Sequence, residues 1–191
     1  PGIARLKALI DGEKHMNLAK AAQYLEAANL QEEDLLPYAH FDHPASDGYG
    51  PKMASEQDNY EIMVMSWNPG DISAVHDHGY TAWGAVQVFG NTLHHTFTTT
   101  NDLFRVSRKE ILGNREIVKV NNSLIHQMGN VTSKPYFTVH IYGNNEQKGN
   151  ITADSRIFEL ESGLIKHTTG GAFINLPDEL VYDIEKLPEI D

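Results

Sequence analysis

The stretch 70-GDISAVHDHGYTAWGAVQVFG-90 decides the fold, because its residues alternate in character while two histidines stand two apart, at positions 76 and 78. In extended backbone successive side chains point to opposite faces, so His76 and His78 share one face and Asp77 points to the other. Two imidazoles side by side on one wall can grip a metal ion.

Outward from this stretch, short β-rich runs continue from residue 60 to about 142: "YEIMVMSW", "AWGAVQVFG", "HHTFTTT", "REIVKV" and "PYFTVHIYG". Turns written "NPGD", "LGN" and "VNNS" separate them, which predicts a sandwich or a small barrel. Upstream the period changes. Ile3, Leu6 and Ile10, then Leu18, Ala22 and Leu25, recur at helical spacing, with Leu35 and Leu36 in a last short turn. Pro37 and "HPASDGYGP" end helical structure. Downstream, "SRIFELESGLIKHTTGGAFINLP" predicts two more strands around a Ser-Gly turn, and "DELVYDIEKLPEID" an acidic surface segment. The expectation is one domain over 1–191, with a helical cap over 1–45, an all-β core over 46–177 and a tail over 178–191.

With 191 residues and 40% hydrophobic content, the chain can build one ordinary core. Its formal net charge of −11 repels phosphate backbones, so no nucleic acid partner is expected. The absence of cysteine excludes disulfides, thiolate metal sites and a cysteine nucleophile. No apolar run approaches a membrane span and the start lacks the apolar core of a secretion signal, so the expectation is a soluble, cytoplasmic protein without membrane contact.

A third histidine sharpens the metal reading: "NNSLIHQMGN" places His126 after a turn, with Asn130 four residues on. Gly70, His76, His78 and Gly90 resemble the first cupin motif, and His126 with Asn130 resembles the end of the second. The resemblance implies a small antiparallel β-barrel of jelly-roll type behind N-terminal α-helices. It also implies metal ligands at His76, His78 and His126. The motif's usual glutamate position holds Trp83, and an indole cannot ligate a metal. Three neutral donors then leave the ion's charge uncompensated and leave open positions suited to an anionic chelating substrate plus dioxygen.

The stretches "IMVMSWNPGDISAVHDH" and "IHQMGNVTSKPYFTVHIYG" resemble the thiol dioxygenases of the cysteine dioxygenase type, with an aspect closer to the bacterial cysteine and mercaptopropionate enzymes. The resemblance implies Fe(2+) on three histidines, and as partners a small thiol and O2, the thiol being oxidised to its sulfinic acid. It places Thr138, His140 and Tyr142 on the family's Ser-His-Tyr relay, threonine keeping the serine's hydroxyl. Their spacing of two aims all three at one interior, although an ordinary alternating strand with a tyrosine anchor has the same spacing. The cysteine that crosslinks to the tyrosine in many eukaryotic relatives is absent, and Gly84 beside Trp83 matches bacterial relatives. The arginine that binds substrate carboxylate in cysteine dioxygenases is also absent from "GYGPKMASEQDNYEIMV". Lys52, Arg156 and Trp83 are the candidate substrate contacts, lysine supplying a point charge without a planar fork.

Two rival functions share these ligands: a three-histidine cupin dioxygenase for a non-thiol such as a diketone, and a non-catalytic metal- or ligand-binding cupin. The other histidines carry blander expectations. His40 and His43 in "YAHFDHPASDG" are expected in a solvated loop, His15 and His167 exposed, and at most one of His94 and His95 inward-facing. A monomer or small homo-oligomer is expected.

Overall fold

The computed structural model describes residues 1–146 and 149–191. Helices α1 (Gly2–Asp11), α2 (Leu18–Ala27) and α3 (Glu32–Leu35) precede the strands. These are β1 (Gly50–Glu56), β2 (Tyr60–Trp67), β3 (Trp83–Phe89), β4 (Thr92–Thr100), β5 (Leu103–Leu112), β6 (Ile117–Val120), β7 (Ile125–Gly129), β8 (Tyr136–Gly143), β9 (Ser155–Glu159), β10 (Leu164–Thr168), β11 (Val181–Lys186) and β12 (Glu189–Ile190). One sheet runs β1-β2-β8-β3-β6, and opposite it lie the sheets β12-β5-β4-β7 and β11-β10-β9. This is the cupin jelly roll with N-terminal helices. No helix among the described residues is long and apolar enough to cross a membrane.

The helical cap exists because the central sheet is apolar on both faces. On β8, Phe137, Val139 and Ile141 join Ile62, Val64 and Ala85 in a cluster with Leu6, Ile10 and Leu25 of the helices. Without the helices that outer face would meet water, at a cost of about 25 cal/mol per Å² of apolar surface. The inner face of the same sheet gives Met65, Trp67, Val86, Val88 and Tyr142 to the barrel interior. Alternation along β8 therefore sends Thr138, His140 and Tyr142 inward, opposite the residues that hold the helices.

Three local expectations change. The histidine stretch 70–82 is extended but forms single bridges rather than a ladder: His76 pairs once with His126 and once with Ile157. It is thus free to carry ligands while still pinned to both neighbouring strands. The segment 178–191 is not merely a surface tail, since β11 pairs with β10 and β12 with β5. His43 does not lie in solvent: its ring is buried and its Nε2 is 2.8 Å from the Asp71 carboxylate, tying the loop before β1 to the turn after β2.

Candidate metal centre

Of the three candidate ligands, His126 comes from β7 and His76 and His78 from the bridged stretch before β3. His76 and His126 are drawn together by the backbone, each amide donating to the other's carbonyl at 2.9 and 3.0 Å. The ring centroids of His76, His78 and His126 stand 4.7, 4.8 and 5.0 Å apart, with interplanar angles of 62° and 63°. Three rings nearly equidistant and equally inclined form a cup. One ligand atom from each lies within 4.8 Å of the others, and Nε2 of His126 is 3.1 Å from Nε2 of His78.

Hydrogen bonds at the far side of each ring decide which nitrogen faces the cup. His76 Nδ1 is 2.8 Å from the carbonyl of Ala74, and His78 Nδ1 is 3.2 Å from that of Leu124. A carbonyl only accepts, so each Nδ1 carries the proton and each Nε2 keeps its lone pair. Burial, reinforced at His78 and His126 by the neighbouring rings, pulls all three imidazoles below their ordinary value and so keeps them neutral. Three neutral imidazole donors converging in a buried cup fit a first-row divalent metal, and no carboxylate belongs to the group.

Thr138, His140 and Tyr142 form one hydrogen-bonded chain. Thr138 Oγ1 is 2.6 Å from His140 Nε2, and His140 Nδ1 is 2.6 Å from the Tyr142 hydroxyl. Trp67 extends it, its indole N–H donating to Thr138 Oγ1 over 2.8 Å. That link gives the chain a direction. The indole can only donate, so the threonine proton is satisfied by donating to His140 Nε2, leaving Nδ1–H to donate to Tyr142 and the phenol proton to point onward. Burial pushes the His140 imidazole down to about 3 and the Tyr142 phenol well up, so the ring is neutral and the hydroxyl protonated. The Tyr142 and His78 rings are 5.5 Å apart, which sets that hydroxyl chain beside the cup.

A cavity of about 60 Å³ opens between them, lined by Tyr49, Met63, Met65, His76, His78, Tyr142, Thr152 and Ser155 among others. That volume holds on the order of four waters.

The three residues expected to contact substrate take different places. Lys52 is exposed on the edge strand β1, outside this lining. Arg156 is committed elsewhere: its Nε donates to the Asp77 carboxylate at 2.7 Å, its amide to the same carboxylate at 2.6 Å, and its guanidinium lies over Phe158. Asp77 lines the cavity beside His76 and His78, whereas Arg156 lies outside that lining. Trp83 packs among the helices against Tyr60, its indole N–H donating to Asn145. The residue of β3 that shares a face with Val86 and Val88 is Gly84, paired across to Tyr142. A Cβ at Gly84 would lie 2.4 Å from the carbonyl oxygen of Ile141, so β3 and β8 approach too closely there for a larger residue.

Sequence reading missed Tyr49, stacked between Trp67 and Phe173, and Trp67 as the donor to Thr138. It also missed the partner of His126. His94 is buried with its Nε2 2.8 Å from His126 Nδ1, while His95 is not buried. His167 is half-buried between Asp154 and Glu185, where their carboxylates outweigh the burial penalty and hold its imidazolium above the ordinary value, whereas His15 is exposed.

A family model described as cysteine dioxygenase type I matches residues 2–147. Among solved structures, an uncharacterized protein with a double-stranded β-helix domain from Klebsiella pneumoniae is 15% identical over 59% of this chain and 89% of its own, with a TM-score of 0.45. A cupin superfamily protein from Desulfitobacterium hafniense is 14% identical over 50% of this chain and 76% of its own, with a TM-score of 0.40. An oxalate oxidase is 13% identical over 62% of this chain and 60% of its own, with a TM-score of 0.47. At that identity oxalate oxidation stays a property of that neighbour.

Proposed function

Given that the chain belongs to the cysteine dioxygenase type I family of cupins, we propose that it holds one ferrous ion on His76, His78 and His126 and oxidises a small thiol to its sulfinic acid. The thiol and O2 combine as RSH + O2 → RSO2H: the S–H and O–O bonds break, both oxygen atoms end on sulfur, and the thiol proton ends on the sulfinic group. The observation that carries the reading is a cluster of three uncharged imidazoles, two of which, His76 and His78, line one small cavity together with the protonated phenol of Tyr142. Bound iron supplies Lewis-acid stabilisation of a thiolate and the electrons that activate dioxygen.

The chain's own residues do the rest. Tyr142 is the catalytic residue, holding a hydroxyl proton beside the cup and donating it as a hydrogen bond to the reacting group. His140 and Thr138 are positioning residues that keep this proton pointing into the cavity. Met63 and Met65 wall the space with apolar side chains, which limits competing water and favours a compact substrate over a polar one of many atoms.

The test is anaerobic loading with ferrous iron followed by oxygen uptake with cysteine, 3-mercaptopropionate and a diketone. The expected result is one iron per chain and uptake with a thiol in equal amount to sulfinate formed. Uptake with the diketone alone assigns the non-thiol dioxygenase reading instead, and iron binding without any uptake assigns the non-catalytic one.

A further inference from the structure

The three proposed ligands are not held alike. His76 and His78 each donate Nδ1–H to a neutral main-chain carbonyl, whereas His126 is bonded through Nδ1 to another imidazole, that of His94, at 2.8 Å. His94 in turn places Nδ1 2.9 Å from a carboxylate oxygen of Glu110. The other oxygen of Glu110 receives Arg108 Nε at 3.0 Å. One residue from each of three adjacent strands, β7, β4 and β5, thus makes a line from the cup to the protein surface, and the side chain of Glu110 at its far end keeps 23% of its exposure.

Proton positions along this line follow from its end. A carboxylate accepts, so His94 Nδ1 carries a hydrogen; its Nε2 then accepts, so His126 Nδ1 carries one as well, and His126 Nε2 keeps its lone pair toward the cup. From this we infer that Glu110 and His94 are positioning residues that fix the tautomer of His126 and deliver to the metal the negative charge that its ligand set lacks. A carboxylate at the end of a conjugate pair of imidazoles raises the basicity of the inner one, which stabilises the higher oxidation state of a bound ion. Arg108 opposes this by drawing on the same carboxylate. The inference rests on the proposed iron site, and its test is arranged to separate the two.

The readouts are iron affinity, by chelator competition, and the ferric/ferrous midpoint potential of iron-loaded protein without substrate. Glu110→Gln keeps an amide oxygen for His94 Nδ1–H but removes the charge. It is expected to weaken ferric relative to ferrous binding about tenfold, an upward shift of about 59 mV for one electron. Arg108→Gln is expected to move the potential the opposite way by a smaller amount, a sign that a purely structural role would not produce. Glu110→Ala, which also frees the His94 tautomer, is expected to lower iron affinity about 10- to 100-fold. Unchanged potential in Glu110→Gln together with unchanged affinity in Glu110→Ala overturns the inference while leaving the iron site standing. Wild-type protein that takes up no iron, or His126→Ala protein that keeps it, overturns the iron site and the inference with it.

Discussion

Two hydrogen-bonded lines run up to the three-histidine cup, one from each facing sheet, and they differ in burial, in charge and in how many strands they cross. The line Trp67–Thr138–His140–Tyr142 lies in the five-stranded sheet, is buried throughout, contains no formal charge and draws three of its four members from one strand. The line Glu110–His94–His126 crosses three strands of the opposite sheet, ends in a carboxylate and reaches the surface. The first can present a proton to whatever occupies the cavity but cannot change the charge of the centre. On the proposed reading the second does the reverse, because it ends on the ring of His126 and not in the cavity. The placing of a proton and the supply of charge thus fall, on that reading, to different lines.

Removing the point where the second line meets the cup gives the largest expected effect. His126→Ala should weaken iron binding by more than about 100-fold, beyond the range for outer residues, and abolish oxygen uptake with it, as read by metal analysis after desalting. Tyr142→Phe should break only the first line, lowering kcat by about 10²- to 10⁴-fold with iron content and midpoint potential unchanged. A shift of potential in that variant would mean that the two lines are not separate.

Thr138→Val should leave the Trp67 N–H and His140 Nε2 unpaired in a dry interior. We expect a loss of about 1–3 kcal/mol in denaturant unfolding and a fall in kcat smaller than that of Tyr142→Phe, both restored by Thr138→Ser. The smallest effect concerns pH. His140 is neutral in the fold until about 3, whereas an unfolded imidazole titrates near 6.5. Its contribution is therefore fully present above that unfolded value and is lost as pH falls toward the folded one. The unfolding midpoint of metal-free protein should drop between pH 7 and pH 5, and drop less in His140→Asn; equal drops would show that the ring does not stay neutral.

What could be read from residues alone follows the same division. Thr138, His140 and Tyr142 share one strand at a spacing of two, and His76 with His78 share another stretch, so local alternation was enough to group them. The barrel and its helical cap were legible for the same reason, since both rest on periodicity. His94 and Glu110 are 16 residues apart and meet His126 only through strand pairing, which no local period encodes. Counting along a motif does not register which face of β3 a side chain takes: Trp83 packs toward the helices, and alternation puts Gly84 on the face of Val86 and Val88. Arg156 pairs with Asp77, a partner 79 residues away that no local pattern indicates.

The proposed centre holds its iron on three imidazoles and no carboxylate and leaves room for sulfur. X-ray absorption on iron-loaded protein, before and after anaerobic addition of the thiol that supports oxygen uptake, tests it most directly. Three imidazole donors before addition and a new sulfur neighbour afterwards are the predicted result. A carboxylate oxygen in the sphere, or a spectrum that the thiol does not change, would contradict it.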